Sequence, residues 1–202
     1  NKTIIAIVLI FFVLLVDQTL KIWVKTNMYL GQTIPVIGNW FYLRFTENPG
    51  MALGISIPGN FGKIFLTTLR IVVAIFIAFY LHSLIKKNSP IGLIIALSLI
   101  LAGAIGNIID SIFYGVVFSE STYFTPATIF PKGGGYAPLF KGHVVDMLYF
   151  PIIKGTYPEW FPFFGGKSFI FFRPIFNIAD SAITIGVLTI IFFQKKFFSK
   201  HV

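Results

Sequence analysis

The chain has 202 residues, of which 56% are hydrophobic and only 11% are charged, against about 25% charged in a soluble domain, so the composition predicts an integral membrane protein. Sixteen Lys and Arg against seven Asp and Glu give a net charge of +9, but the basic residues flank apolar segments, which indicates orientation and anionic-lipid contact rather than nucleic-acid binding. The absence of cysteine excludes disulfides, thiolate nucleophiles and Cys-ligated metal centres.

Apolar segments long enough to cross a bilayer as helices occur at about 3–24, 64–85, 90–109 and 175–193. The first is expected to be a retained helix rather than a cleaved signal peptide, because Asp17 and Lys21 interrupt its end and no small-residue cleavage pattern follows. Pro174 is well placed to open the last helix. The sequence therefore predicts an all-α membrane fold of four transmembrane helices, with residues 1–202 forming a single integral-membrane domain.

The distribution of lysine predicts the orientation of these helices. Short cytoplasmic loops collect Lys and Arg, and Lys2, the pair Lys86-Lys87 and the C-terminal lysines all fall on one side of the four spans. We therefore expect both termini in the cytoplasm and two long connections, at about 25–63 and 111–174, on the outer side.

The two outer connections differ in character. Residues 39–47 are rich in aromatic side chains and have the alternating pattern of side chains that is typical of a strand, and the turn 48–50 follows them. This pattern predicts a small extracytoplasmic β platform at the membrane surface. The second connection contains a glycine-rich segment at 131–135 and an aromatic segment at 157–172. That composition is typical of an interfacial loop rather than a span.

Four of the seven acidic residues are expected at one depth of the membrane. With this topology, Asp17 and Asp110 lie near the outer ends of the first and third helices, and Asp180 lies near the outer start of the last. Asp146 precedes an apolar stretch of the outer connection and could join them. Carboxylates in a membrane are costly unless they are paired, hydrated or used in function, so this convergence predicts a site.

Two asparagines accompany these acids at helical spacing. Asn107 precedes Asp110 by three residues, and Asn177 precedes Asp180 by three, which places each pair on one helix face. If Pro174 opens the last helix, Asp180 lies within about two turns of a positive helix end that favours its ionised form. A carboxylate held ionised beside one held protonated can act as an acid–base pair.

Several residues allow more than one interpretation. Asp17 precedes Lys21 by four residues, an order that favours a structural ion pair. Asp110 would lie near a helix C-terminus, where a negative charge needs a partner, so capping or orienting is an alternative to chemistry. His143 has no partner at metal-ligand spacing, and no metal site is predicted. Arg70 could reach lipid head groups or neutralise an acid.

Short blocks of sequence fall in register with the four spans. They are 16–21 (VDQTLK), 47–52 (ENPGMA), 103–110 (GAIGNIID), 142–146 (GHVVD) and 176–181 (FNIADS). In order and topology they resemble lipoprotein signal peptidase, the bacterial signal peptidase II family, from about residue 16 to residue 186. The resemblance implies an intramembrane aspartyl endopeptidase of the bacterial inner membrane. Such an enzyme removes the signal peptide of diacylglyceryl-modified prolipoproteins on the N-terminal side of the lipidated cysteine.

Carried over by motif, the resemblance makes Asp146 and Asp180 the catalytic pair. It also implies substrate-binding or supporting roles for Asn48, Gly50, Asn107, Asp110, Asn177, Asp17 and Lys21. The implied partners are lipidated prolipoproteins and membrane lipids, with sensitivity to globomycin-type inhibitors and an active site at the extracytoplasmic face. No metal, other cofactor or nucleic acid is implied.

The chain departs from the family pattern in two places. The family usually has Arg after the Asp of the third block, where this chain has Ser111, so a cation near the site must come from elsewhere or be absent. The segment between Ser111 and Gly142 is also longer than expected.

Two carboxylates without a metal predict a dyad that shares one proton, because like charges about 3 Å apart resist joint ionisation. One can then take a proton from water while the other hydrogen-bonds the scissile carbonyl. A proton-coupled transporter is the competing class, but it predicts polar residues across the whole membrane depth, whereas the inner halves of the first, third and last helices are nearly all apolar. A structural assembly factor would leave the second Asp–Asn pair unexplained.

Overall fold

The structure is a computed structural model that describes residues 1–49 and 59–198. Gly50, a predicted substrate-binding residue, lies outside these described residues. Within them, four helices are long and apolar enough to cross a membrane, as predicted. They are α1 (Lys2–Asn27), α2 (Gly59–Lys86), α3 (Ile91–Ile109) with its continuation, and α5 (Ile178–Phe198).

The third span is longer than the predicted 90–109. After α3 the chain forms a π-helical turn, Asp110–Tyr114, and a last short helix, α4 (Gly115–Val117), so that the candidate span is Ile91–Val117. Ser111 and Asp110 are both buried in this turn. Single π-helical turns are frequent at functional sites, and this one brings Asp110 among the polar residues described below.

The last helix begins later than the predicted residue 175, and Pro174 does not open it. Residues Ile175–Phe176 form a strand, β6, and Asn177 caps the helix instead. Its Oδ1 accepts the N–H of Asp180 at 2.8 Å, and Asp180 Oδ2 accepts the N–H of Asn177 at 3.4 Å. This is the reciprocal geometry of a capping box, and it places Asp180 in the first turn of α5.

The predicted β platform is an antiparallel sheet in the order β1-β2-β3-β6. β1 (Thr33–Ile37) and β2 (Phe41–Asn48) come from the first connection, as expected. β3 (Val144–Tyr149) comes from the second connection, is buried at every position and pairs with β2 in a register that sets Thr46 opposite Asp146. The sequence predicted no strand there, because a fully buried strand lacks the alternation that marks a half-exposed one.

The aromatic segment of the second connection is also partly ordered as a hairpin of β4 (Ile153–Thr156) and β5 (Ser168–Phe171). Trp160 and Phe163 in its loop are 79% and 92% exposed. The interfacial location of this segment stays a prediction, and the exposed Trp160 is its main support, because Trp and Tyr are enriched at membrane–water interfaces.

α3 is the helix against which the other spans pack, and small residues allow the close approach. A Cβ added to Gly103 would lie 2.2 Å from the carbonyl oxygen of Ala179 on α5, and one added to Gly106 would lie 2.7 Å from Asp17 Oδ2 on α1. These contacts bring the polar ends of α1, α3 and α5 together beside the sheet.

Candidate active site

Asp146 and Asp180 line one cavity of about 450 Å³. Asp146 projects from β3 and Asp180 from the first turn of α5, so the sheet and the helix bundle each contribute one carboxyl group. Helices α2 and α3 supply further walls. Among the described residues, the others that line the cavity are Asn48, Leu69, Arg70, Val73, Ala104, Asn107, Val144 and Ile183.

Two asparagine side chains connect the two carboxyl groups. Asn177 Nδ2 donates to Asp146 Oδ1 at 2.7 Å, and Asn107 Nδ2 donates to Asp180 Oδ1 at 2.8 Å. The amides also contact each other, since Asn177 Nδ2 lies 3.1 Å from Asn107 Oδ1. The result is a chain of carboxyl, amide, amide and carboxyl groups that fixes both acids without adding a charge.

Lys21 supports this chain of polar groups. Its ammonium is fully buried and lies 2.9 Å from Asp17 Oδ2, from Asp110 Oδ2 and from Asn107 Oδ1. An ammonium has three donors, so these contacts match its capacity. The predicted Asp17–Lys21 ion pair is confirmed, and the partner that Asp110 needs is the same lysine.

Asp17 and Asp110 in turn hold the backbone next to each acid of the cavity. Asp17 Oδ1 accepts the N–H of Ala179 at 2.9 Å, one residue before Asp180. Asp110 Oδ2 accepts the N–H of Val145 at 3.2 Å, one residue before Asp146. Both acids are at most 1% exposed, and buried charges with such complete hydrogen bonding orient their neighbours. The geometry therefore favours the orienting interpretation of Asp110.

The electrostatic setting of Asp146 favours a bound proton. Burial, followed by the neighbouring charge of Asp180, raises the pKa of Asp146 from 3.8 to about 8. The pair therefore retains a proton at neutral pH, which is the protonation state that a shared-proton dyad requires.

The part of the chain that matches a known protein family includes every residue of the site described so far. Residues 9–195 match the family described as signal peptidase (SPase) II. The chain belongs to the signal peptidase II family. A lipoprotein signal peptidase of Porphyromonas gingivalis is 52% identical over 184 residues, covering 91% of this chain and 79% of that protein. One of Amoebophilus asiaticus is 41% identical over 179 residues, covering 87% and 71%.

A solved structure has the same overall fold as this signal peptidase II family member. It is described as a bacterial membrane enzyme, with a TM-score of 0.62 and 27% identity over 98% of this chain and 93% of that one. Family membership decides against the transporter and the assembly factor, since signal peptidase II is a protease.

Arg70 is the cation near the site that Ser111, at the position where the family usually has Arg, does not provide. The α2 side chain lines the cavity together with Asp146 and Asp180, and its Nη1 donates to Ser111 Oγ at 3.5 Å. From the sequence of the peptidase, this residue was expected either to contact lipid head groups or to neutralise an acid. Its location shows that it faces the acids of the cavity.

A second polar cluster, which was not predicted from the sequence, is formed by Lys25, Glu47, Ser121 and His143. Lys25 is buried and forms an ion pair with Glu47, and it donates to Ser121 Oγ at 2.8 Å. His143 Nδ1 contacts Glu47 Oε2 at 3.0 Å. Burial raises the pKa of Glu47, but hydrogen bonds from His143 and Lys25 outweigh it and hold the value at about 2. The only signal in the sequence was that Lys25 follows Lys21 by four residues on α1.

This cluster anchors the long segment between Ser111 and Gly142 in the peptidase. Besides Ser121, the backbone of Ala127 donates to the Lys25 carbonyl at 3.0 Å, and Leu30 donates to the Thr122 carbonyl at 2.8 Å. The segment is therefore packed over the end of α1, and Glu47 connects it to the strand that contains Asn48.

Proposed function

We propose that this peptidase is an aspartyl endopeptidase that removes the signal peptide from diacylglyceryl-modified prolipoproteins, on the N-terminal side of the lipidated cysteine. The observation on which the proposal depends is the pair Asp146 and Asp180, which line one cavity and are joined through Asn177 and Asn107. The names of the curated relatives support the substrate class.

The chemistry needs only the dyad and a water molecule. The ionised carboxylate takes a proton from water as the oxygen attacks the scissile carbonyl carbon, and the protonated partner hydrogen-bonds and then protonates the carbonyl oxygen. The resulting tetrahedral diol collapses when its nitrogen receives a proton, so that the carbon–nitrogen bond breaks. The products are the carboxyl end of the signal peptide and a free amine on the lipidated cysteine, and the dyad returns to one proton.

The supporting residues fit two tasks in this reaction. Asn107, Asn177, Asp17, Lys21 and Asp110 fix the positions of the carboxyl groups. Asn48, at the end of β2 in the cavity wall, and Gly50 after it are proposed to contact the substrate backbone.

The distribution of charge supports a site at the extracytoplasmic face of the bacterial inner membrane, with both termini in the cytoplasm. Lys86 ends α2 roughly 20 Å along the helix from Val73 of the cavity, and Lys195 and Lys196 lie in the last turn of α5, whose first turn contains Asp180. Basic residues mark cytoplasmic ends. The apolar cavity walls suit a lipidated substrate and a globomycin-type inhibitor.

The test is cleavage of a purified lipidated prolipoprotein by Asp146→Asn and Asp180→Asn variants. Each should lose activity by roughly a thousandfold or more, because an amide cannot exchange the shared proton, while expression and detergent extraction stay normal. Glu159→Gln, the same change at an exposed acid, is the matched control and should cleave at the wild-type rate. Wild-type turnover by either dyad variant would overturn the proposal.

A chelator and a thiol-alkylating reagent extend the same assay. Neither should change the rate, because the proposed steps use carboxyl groups and the chain has no cysteine. Loss of activity with EDTA that zinc restores would indicate a metallopeptidase and contradict the dyad.

A further inference from the structure

One charged side chain reaches the cavity from α2. Leu69, Arg70 and Val73 lie on the face of α2 that lines it, and Arg70 is the cation among them. The guanidinium is half-buried, and its charge interacts with those of Asp180 and Asp146. It is thus held beside the groups proposed to perform the reaction.

The chemistry of the guanidinium limits what it can do there. It has five N–H donors, no acceptor and no accessible neutral form, so it cannot be the acid or base of the reaction. Among the residues that the structure describes, it makes one hydrogen bond, the long contact with Ser111 Oγ. Its other donors have no partner among the described residues, and the side chain lines the cavity that the proposed substrate would occupy.

The other buried cation of the site cannot take this place. Lys21 is committed to Asp17, Asp110 and Asn107 and is not among the described residues that line the cavity. A peptide or ester carbonyl oxygen that approaches the dyad would therefore meet one cationic donor from the described wall, Arg70.

We propose that Arg70 is a substrate-binding residue whose guanidinium donates hydrogen bonds to a carbonyl oxygen of the precursor beside the scissile bond, with Ser111 holding it in position. The inference rests on the function proposed above. The shared chemistry is a carbonyl oxygen, which the precursor offers both in its peptide backbone and in the glyceryl esters of its lipid.

The first test is steady-state cleavage of the lipidated precursor by Arg70→Met, which keeps an unbranched apolar stem and removes the donors. We expect kcat/KM to fall about 10- to 100-fold, as for loss of a charge-assisted hydrogen bond, mainly through a higher KM, because the contact is present before the reaction. The matched control is Lys86→Met, an exposed cation on the same helix roughly 24 Å away, which should keep wild-type kinetics.

The second test moves the guanidinium to the neighbouring helix. Because Ser111 touches Arg70, an arginine at position 111 would reach the same part of the cavity. Arg70→Met combined with Ser111→Arg should recover about tenfold or more of the lost kcat/KM, whereas a purely structural role of Arg70 in α2 would not be restored from the π-helical turn that follows α3. Thermal unfolding in detergent identifies variants that have simply failed to fold.

A precursor with ether-linked chains, which lacks ester carbonyls, separates the two sources of the carbonyl oxygen. If Arg70→Met still lowers kcat/KM with this substrate, Arg70 contacts a peptide carbonyl. If Arg70→Met no longer lowers kcat/KM, Arg70 contacts an ester carbonyl. Unchanged kcat/KM in Arg70→Met, a loss confined to kcat, or no recovery in a double variant that melts like the wild type would overturn the inference. These results differ from failure of the proposed function, in which the wild type would not cleave the precursor or would not need Asp146.

Discussion

Asn107 and Asn177 orient the two carboxyl groups of the cavity without neutralising them. A lysine or arginine in hydrogen-bond contact with Asp146 would favour its charged form, whereas an amide contributes donors and no charge. The ammonium of Lys21 is one group removed, bonded to the amide oxygen of Asn107. Placing the charge behind the amide allows the site to be rigid and still retain a proton.

This arrangement predicts the alkaline limit of activity. Burial and then the charge of Asp180 raise the pKa of Asp146 to about 8, so the pair holds its proton below that pH and loses it above. We expect kcat/KM for a lipidated precursor to decline as the pH rises through about 8. The measurement is a rate profile from about pH 5 to about pH 10, and a rate that stays constant across the alkaline range would contradict it.

At the scale of secondary-structure elements, the contact between α3 and α5 decides where Asp180 lies. A Cβ at Gly103 would lie 2.2 Å from the backbone oxygen of Ala179, the residue that precedes Asp180, so the helices can meet only around a glycine. Gly103→Ala should lower the free energy of unfolding by roughly 1–3 kcal/mol and reduce cleavage.

Gly133→Ala provides the matched control for the helix contact, because a Cβ there meets no atom within 4 Å. Thermal unfolding and kcat/KM of both variants are measured together. A Gly103→Ala variant as stable and active as Gly133→Ala would show that α3 and α5 do not need this close approach.

A polar cluster joins β2 to the long connection; its members are Lys25, Glu47, Ser121 and His143. We expect the effects of substitutions at Lys25 and Glu47 on stability to be strongly non-additive. Glu47→Gln would leave the buried Lys25 without its counter-ion, which costs roughly 3–5 kcal/mol of folding free energy. Adding Lys25→Met should recover much of the loss, because no unpaired buried charge remains. Denaturant unfolding measures the difference.

Glu120→Gln, the same change at an exposed acid beside Ser121, is the control for that cycle and should be close to neutral. If Glu47→Gln unfolds at the same denaturant concentration as Glu120→Gln, the ion pair with Lys25 contributes little and the connection must be held by other contacts.

At the scale of the whole molecule, the cavity combines spans and sheet at one end of the bundle, which suits a substrate that arrives from the lipid. A prolipoprotein signal is apolar and its cysteine bears a diacylglyceryl group, so neither part readily leaves the bilayer. We predict that a non-lipidated precursor is a much poorer substrate than the lipidated one. The measurement is kcat/KM for the two precursors under identical detergent conditions.

Photocrosslinks from the scissile region of the same substrate should map near residues 48–52 and 177–181 rather than near Lys86 and Lys87. Equal cleavage of both precursors, or crosslinks concentrated at the lysine-rich end, would contradict access from the lipid beside the sheet and would reverse the proposed orientation.

The sequence by itself determined the membrane class, the number of spans, the Asp17–Lys21 pair and the family. The first three follow from local properties: a bilayer requires about 20 apolar residues for a helix, and residues four apart meet on one helix face. The family follows from the five short sequence blocks and their order. Prediction from the sequence failed where local preferences and long-range contacts favour different structures. Residues near Pro174 were predicted to be helical, but Ile175–Phe176 pair with β3 and the capping side chain of Asn177 starts the helix.

Only the tertiary structure decided how the site is assembled. The contacts of Asp17 with Ala179, of Asp110 with Val145 and of Arg70 with Ser111 join residues far apart in the chain, and no periodicity encodes them. The first contact is possible because Gly103 and Gly106 let α1, α3 and α5 approach closely. All three are favoured because polar groups buried by the packing need partners within the protein.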